Sequence, residues 1–161
     1  MARTVIGLGS NLGDRLDTLR EATRRLARVS PIVAASSIYA NEAIGGPAQG
    51  EFLNAAVEVD WSLDPHGLLD ELQRIEHALG RVRDANVRWG PRTVDLDVLW
   101  IDGAAVATAR LVVPHPRLRE RPFAFVPLLE LVPDALPGWP VAHVSLLRIG
   151  PSLLEEEPPS P

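Results

Sequence analysis

The chain of 161 residues contains no cysteine and no lysine, because all sixteen of its basic residues are arginine. The lack of cysteine excludes disulfide bonds, thiolate metal sites and a cysteine nucleophile, and it fits a reducing compartment. The lack of lysine excludes a Walker A phosphate loop, and it also excludes Schiff-base and pyridoxal chemistry. Enzyme classes that depend on either side chain are therefore ruled out.

Long apolar runs are also missing. No stretch approaches eighteen apolar residues, and the apolar run in MARTVIGLGSN is too short for a signal peptide. We therefore expect a cytoplasmic protein that makes no contact with a membrane. The contents of hydrophobic residues (46%) and charged residues (23%) are those of a globular protein. The length predicts a single domain over residues 1–150, and the composition of PSLLEEEPPSP predicts a disordered tail over 151–161.

The charge is unevenly distributed along the chain. The formal net charge of −5 argues against a nucleic-acid partner, yet nine arginines and only six acidic residues lie between positions 74 and 121. One interpretation is a solvated surface with ion pairs. The other is a site for a small polyanion, because the arginine fork pairs with phosphate oxygens.

Hydrophobic periodicity predicts a strand, a helix, two strands, a helix, a strand hairpin and a final helix. Asp64 is expected to cap the second helix, with Pro65 at its first position and Gly80 at its end. The Asp102–Gly103 pair predicts a hairpin turn. The order is that of a ferredoxin-like α+β two-layer sandwich, with an antiparallel sheet carrying helices on one face and substrate loops on the other. The segments are TVIGLGSN, residues 12–29, VAASSIYA, FLNAAVEVDW, residues 62–81, TVDLDVLWI with AAVATARLVV, and ERPFAFVPLLELV.

Three glycines follow the first predicted strand, in GLGSNLG. Their spacing differs from the G-x-G-x-x-G pattern of dinucleotide-binding loops. They predict close backbone packing at the end of the strand and a tight turn before the helix.

Asp95 and Asp97 interrupt a strand that is otherwise apolar. Residues i and i+2 of a strand share a face, about 6–7 Å apart, so both carboxylates project together while Val94, Leu96 and Val98 face the other way. Acids on a solvent-facing strand are one explanation. The other is a cation, because two close carboxylates repel each other and Mg²⁺ is held by one or two carboxylates plus substrate phosphates. Together with Arg92 and the arginines just before it, the pair indicates a magnesium nucleotide site.

Three further polar residues have a structural and a functional interpretation. His115 lies between two prolines and is followed by three arginines in PHPRLRER, so it is either a structural histidine or a phosphate contact. Gln73 and Glu76 lie beside the apolar stripe of the second helix, where position alone predicts surface residues.

Five segments together resemble the 6-hydroxymethyl-7,8-dihydropterin pyrophosphokinase family of the folate pathway. They are GLGSNLGDR, FLNAAV, QRIEHALGRVR, RWGPRTVDLDVL and VPHPRLRERPFAFVPLLEL. The similarity covers about residues 4–135. It implies that ATP donates an intact diphosphate to the pterin hydroxymethyl group in tetrahydrofolate biosynthesis and that AMP is released. It also implies a ferredoxin-like fold, two Mg²⁺ ions and mobile loops, and we expect a monomer.

The resemblance assigns roles residue by residue. Asp95 and Asp97 would bind both Mg²⁺ ions, and Asp97 is the candidate for assisting proton removal. The phosphate-binding set would be Arg81, Arg92, His115 and Arg121, with Arg83 and Arg88 joining when their loop closes and Trp89 covering the site. Residues near ATP would be Gln73 and Glu76, with Val98 and Leu111 to Val113 flanking the adenine. The pterin would be held by Phe52, Phe123 and Asn54, with Ala43 and Ile44 making backbone or van der Waals contacts.

The sequence departs from the family pattern in two loops. The first pterin-side loop reads NEAIGG where relatives often carry prolines, and Asp84 stands where a basic residue is frequent. By the resemblance, Asp84 would place an acid near ATP in the second loop, where it would affect closure of that loop.

Two alternatives to catalysis are a nucleotide- or RNA-binding ferredoxin-like domain and a degenerate pterin-binding relative. RNA recognition needs exposed aromatic residues on the sheet, and none of the eight aromatic residues here has that arrangement. The intact Asp-x-Asp pair and the arginine set argue against a degenerate relative.

Overall fold

The computed structural model describes residues 2–10, 15–41, 52–62, 64–80, 94–137, 147–150 and 152–154. Side chains of Asn41 and of residues 147–150 are outside this description. The elements in chain order are β1 (Ala2–Ser10), α1 (Arg15–Val29), β2 (Ile32–Ala35), β3 (Ile38–Asn41), β4 (Phe52–Trp61), α2 (Pro65–Ala78), β5 (Asp95–Ile101), β6 (Val106–Ala107), β7 (Val112–Val113), a 3₁₀ turn (Leu118–Glu120), α3 (Pro122–Leu131) and β8 (Leu147–Gly150).

An antiparallel sheet with the order β5-β1-β4-β3-β8 forms the centre of the fold, and β2 also pairs with β4. Residues 33–40, which were expected to form a single strand, thus belong to two short strands, and both of these pair with β4. The interruption falls at Ser36, whose hydroxyl accepts the N–H of Ala56 while its own N–H donates to the Ala56 carbonyl, both at 2.8 Å. The Ser36 hydroxyl takes the place of a backbone carbonyl as the acceptor for Ala56, and the pairing with β4 shifts register between β2 and β3.

Helices α1 and α2 cover one face of the sheet. Their buried residues pack on Ile6, Leu53, Val57, Leu96 and Val98, and the helix side of this core consists of Leu19, Ala22, Leu26, Leu68, Leu72 and Ile75. The predicted ends of α2 are confirmed: Asp64 Oδ1 accepts the N–H of His66 at 3.1 Å, Pro65 is the first helical residue, and Gly80 follows with φ of 117°.

Helix α3 packs against the opposite face, so the expectation that all helices share one face is wrong for this helix. Its residues Phe125 and Leu128 bury Val5, Ala56 and Leu99 of the sheet. The sequence PFAFVPLLEL is apolar on most sides, and a helix of this kind needs burial on more than one side. On the second face of the sheet, α3 therefore covers an apolar half and leaves the other half uncovered.

The segment after β5 differs from the expected continuous strand over 104–113. The turn is present, with φ of 67° at Gly103 and a bridge between Ile101 and Ala104. Beyond it the chain forms a separate two-stranded sheet of β6 and β7. We call residues 104–113 the β6–β7 hairpin.

Strand β8 pairs with β3 and was not expected from the sequence. Of the expected tail, Ser152–Leu154 are described, and Leu153 is buried in the core shared with α1 and α2. None of the helices in the described ranges has the length and apolar character needed to cross a bilayer.

Candidate active site

A cleft of ≈ 480 Å³ lies on the second face of the sheet, beside α3. Adjacent strands β5, β1 and β4 supply its base, and the start of α3 with the preceding turn supplies a wall. Its lining includes Gly7, Gly9, Phe52, Asn54, Asp95, Asp97, Leu99, Arg117, Glu120, Arg121 and Phe123. Both aspartates and all three described pterin candidates are therefore brought together.

Two glycines of β1 form the floor of this cleft. Gly9 lies between Asn54 on one neighbouring strand and Asp95 on the other, and Gly7 lies between Ala56 and Asp97. A Cβ atom at Gly9 would be 2.9 Å from Asn54 Oδ1, and one at Gly7 would be 3.0 Å from Leu99 Cδ1. Because neither glycine has a side chain, the space between the Asn54 amide and the carboxylates of Asp95 and Asp97 stays open.

The alternation predicted for β5 is confirmed. Val94, Leu96 and Val98 are 2%, 4% and 2% exposed in the core under α1 and α2. Asp95 is partly exposed and Asp97 is exposed, both on the cleft side. Within the described residues, no group of three or more acidic, histidine or cysteine side chains is arranged to hold a metal ion. Two carboxylates alone suit an ion that completes its coordination with oxygens of a substrate and water, as Mg²⁺ does.

The wall beside α3 contains cations and an aromatic ring. The Arg121 guanidinium carbon lies 5.8 Å from the centre of the Phe123 ring, within the range of a cation–π contact. Arg117 and Glu120 also line this wall, and no sequence pattern distinguishes them from Arg119. They lie around a 3₁₀ turn, where side-chain directions do not follow a simple period.

His115 is anchored beside Asp97. Its backbone N–H donates to the carbonyl of Leu99 on β5 at 3.2 Å. Its ring Nδ1 accepts the backbone N–H of Arg117 at 3.2 Å. Because Nδ1 is an acceptor, the neutral ring carries its proton on Nε2 and can donate from there. Partial burial lowers the pKa of His115; the Asp97 carboxylate opposes this shift, and Arg121 and Arg117 add to it. The histidine therefore favours a neutral N–H donor near neutral pH.

A second, smaller cleft of ≈ 260 Å³ lies on the other side of Asp97. It is lined by Leu69 of α2, Asp97 and Val98 of β5, residues 109–112 of the β6–β7 hairpin, His115 and Pro116. Of the adenine candidates, Val98 and Leu111 line this cleft. Val113 is buried in the core instead, since successive residues of β7 point in opposite directions and Val112 takes the exposed place.

Gln73 and Glu76 lie outside both clefts. Gln73 is exposed on the outer side of α2, in a shallow depression with Asp70, Arg74 and His77. Glu76 is only 7% exposed, and its carboxylate accepts the N–H of Leu96 at 3.3 Å. This hydrogen bond joins α2 to the strand that carries the aspartates.

The remaining candidates lie outside the described residues. They are Ala43 and Ile44 of the first loop, and Arg81, Arg83, Arg88, Trp89 and Arg92 of the second, together with Asp84.

Comparison with known proteins identifies the family. Residues 5–133 match the model of the 7,8-dihydro-6-hydroxymethylpterin-pyrophosphokinase family. A 2-amino-4-hydroxy-6-hydroxymethyldihydropteridine pyrophosphokinase of Methylorubrum extorquens is 46% identical over 157 residues, which cover 96% of this chain and 98% of that protein. One from Bacillus subtilis is 47% identical over 128 residues, covering 78% of this chain and 75% of that protein.

A solved structure has the same fold. The HPPK-DHPS protein of Plasmodium falciparum superposes with a TM-score of 0.62 at 13% identity, over 88% of this chain and 42% of that one. This chain thus spans less than half of that larger protein. From the match over residues 5–133 and the two relatives above 45% identity, the chain belongs to the 7,8-dihydro-6-hydroxymethylpterin-pyrophosphokinase family.

Proposed function

We propose that this chain transfers the diphosphate of ATP to the hydroxymethyl group of 6-hydroxymethyl-7,8-dihydropterin in tetrahydrofolate biosynthesis, with release of AMP. The observation that carries the proposal is one cleft containing paired aspartates, a buried amide and two phenylalanines, next to a second cleft that shares Asp97. Family membership supplies the chemistry. The strand order β5-β1-β4-β3 supports a ferredoxin-like sandwich in which substrates bind beside α3.

The pterin is assigned to the first cleft. Phe52 and Phe123 would stack on its ring, at about 1–3 kcal/mol per stacked ring by analogy with nucleic-acid bases. Asn54 would read the donor and acceptor edge, because an amide offers both functions in one plane. Ala43 and Ile44 would add contacts from the first loop.

ATP is assigned to the second cleft, with its phosphates directed toward Asp97. Val98 and Leu111 supply apolar contact for adenine, while His115 and Arg121 supply donors for the phosphates. Gln73 and Glu76 would lie near the nucleotide, and Trp89 would cover it. Four arginines of the second loop complete the phosphate site, and these are Arg81, Arg83, Arg88 and Arg92.

Asp95 and Asp97 would hold magnesium, and two ions are proposed. The donor set fits this ion, because the two carboxylates line the cleft on one face and no group of three or more acidic, histidine or cysteine side chains in the described ranges forms another metal site. When bound, the ions neutralise triphosphate charge and make the attacking hydroxyl more acidic.

The reaction needs positioning and charge stabilisation more than a protein nucleophile. The hydroxymethyl oxygen forms a bond to the β-phosphorus, while the bond from that phosphorus to the α,β-bridging oxygen breaks and AMP leaves with the electron pair. Asp97 is the proposed group for assisting loss of the hydroxyl proton. His115 holds its Nε2 proton throughout, as a donor to phosphate. We further propose that the protein works as a cytoplasmic monomer.

Product identity provides the test. The protein is incubated with Mg-ATP and the hydroxymethyl dihydropterin, and nucleotides and pterins are separated by chromatography. Equal amounts of AMP and pterin diphosphate are expected. Formation of ADP would indicate transfer of a single phosphate, and unchanged ATP in the presence of bound pterin would indicate a binding domain without catalysis.

A further inference from the structure

The β6–β7 hairpin forms one wall of the second cleft, and its backbone pairs with the main sheet only at its base among the described residues. It forms its own two-stranded sheet, linked to the main sheet by the Ile101–Ala104 bridge, and its residues Leu111 and Val113 are buried in the core beside Val98. Its far end, residues 109–112, faces Leu69 of α2 across the cleft. The position of that end relative to α2 therefore sets the shape of the cleft.

A row of hydrogen bonds connects this end of the hairpin to the start of α2. The N–H of Leu111 donates to Thr108 Oγ1 at 3.1 Å, and the same oxygen lies 2.8 Å from His66 Nε2. His66 Nδ1 lies 3.2 Å from Asp64 Oδ1, the carboxylate that caps α2. The row thus runs from a wall residue of the cleft to a helix terminus.

The chemistry of the four groups allows a continuous row when the His66 ring is neutral. Hydrogen bonds from the His66 backbone and then its side chain lower the pKa of Asp64, so its ionised carboxylate only accepts. His66 Nδ1 must then carry a proton, which leaves Nε2 of the neutral ring as an acceptor. The Thr108 hydroxyl can donate to that nitrogen at 2.8 Å or to the Leu111 carbonyl at 3.3 Å, and its oxygen accepts the N–H of Leu111. The shorter contact joins the hairpin to α2, which makes the row a specific connection.

A second contact joins the same two elements one helical turn further along. Arg110 Nη2 is 2.7 Å from Asp70 Oδ1, and Asp70 lies four residues after His66, on the same side of α2. Both partners are about half exposed, with 51% and 49% of the side chains accessible, so solvent weakens the pair. It nevertheless shows that the hairpin faces α2 at two successive turns.

We propose that His66 and Thr108 are positioning residues for the nucleotide, which hold the Leu111 wall of the second cleft at a fixed distance from α2. Neither residue lines the cleft, and neither is expected to touch the reacting atoms. The inference rests on the proposed function, because it takes the second cleft as the ATP site. It adds two residues that the family resemblance did not select.

His66→Ala is the principal test. The net value of one hydrogen bond corresponds to about a twofold to tenfold change in an equilibrium constant, so the KM for ATP should rise by about that factor. The pterin KM and kcat should stay near their original values. Thr108→Val should give the same pattern, and Thr108→Ser, which keeps the hydroxyl, should restore the original ATP KM.

Glu21→Ala is the matched control, because it also removes polar contacts from a helix surface, those with Arg24 and Arg25, away from both clefts. It should leave the ATP KM unchanged. Hydrogen exchange at the Leu111 amide, measured by NMR, gives a readout that does not depend on turnover and should accelerate in His66→Ala.

An unchanged ATP KM in both His66→Ala and Thr108→Val overturns the proposal, as does an equal rise in both substrates' KM values. Calorimetric titration of each variant with Mg-ATP separates this outcome from failure of the proposed function. A wild-type protein that makes no AMP contradicts the function, whereas loss of Mg-ATP affinity and Leu111 protection in His66→Ala still supports the positioning role.

Discussion

Replacing Gly9 with alanine tests the glycine floor. The added methyl carbon would be placed 2.9 Å from Asn54 Oδ1, closer than Cβ atoms approach other heavy atoms in proteins. Asn54 is buried and directly opposite Gly9 in the β1–β4 pairing, so its side chain must rotate or β4 must shift. Either response displaces the amide that we assign to the pterin edge.

The size of the effect follows from the hydrogen bonds at that edge. Two bonds at about 0.5–1.5 kcal/mol each correspond to about 1–3 kcal/mol, or about a fivefold to 150-fold loss of pterin affinity. The ATP KM should change little, because Gly9 does not line the second cleft. Overpacking should also reduce the free energy of unfolding by about 1–3 kcal/mol.

Steady-state AMP formation with each substrate varied in turn is the assay, at a temperature where thermal unfolding shows the variant to be folded. Asn54→Ala and the double variant complete a cycle, and the two changes should be strongly non-additive because they act through one side chain. Gly7→Ala is the control: its methyl group meets the flexible end of Leu99, so its loss of pterin affinity should be smaller. Additive effects, or an unchanged pterin KM in Gly9→Ala, would refute the reasoning.

Three further changes address other parts of the site. Asp97→Ala should abolish AMP formation and leave the circular dichroism spectrum unchanged, because the side chain is exposed; substantial turnover with Mg²⁺ would contradict its role as a metal ligand. Phe123→Ala should weaken pterin binding far more than ATP binding in calorimetric titrations, and equal losses would argue against ring stacking. Glu76→Ala should lower the free energy of unfolding in urea by about 1–3 kcal/mol, because it leaves the buried Leu96 N–H without this acceptor; an unchanged value would contradict this structural role.

The sequence was enough to predict features that depend only on neighbouring residues, such as the ends of α2 and the alternation of β5. The cap, first residue and end of α2 depend on Asp64, Pro65 and Gly80, each of which acts through its own backbone. The alternation of β5 likewise required only the period of a strand, and it placed Asp95 and Asp97 on one face.

Features that depend on distant partners were not predictable in the same way. The shift at Ser36 requires Ala56 on another strand, and α3 was assigned to the wrong face because nothing in its own segment identifies Val5 and Leu99 as its partners. The close packing expected at the glycines of β1 is present at Gly7 and Gly9, but their place in the floor of the cleft was not predicted. Gly7 and Gly9 have the same i, i+2 spacing as the aspartates, but their importance follows from pairing with β4 and β5.

The position of Asp97 on both clefts has a thermodynamic consequence. Asp95 lines the first cleft only, whereas Asp97 is a boundary of the first and of the second. A charged ligand that binds beside Asp97 in one cleft changes the electrostatic field in the other cleft. Thermodynamic linkage then requires that each ligand changes the affinity for the other by the same factor. A dissociation constant measured for either cleft is therefore a property of the pair, and its value depends on what the neighbouring cleft contains.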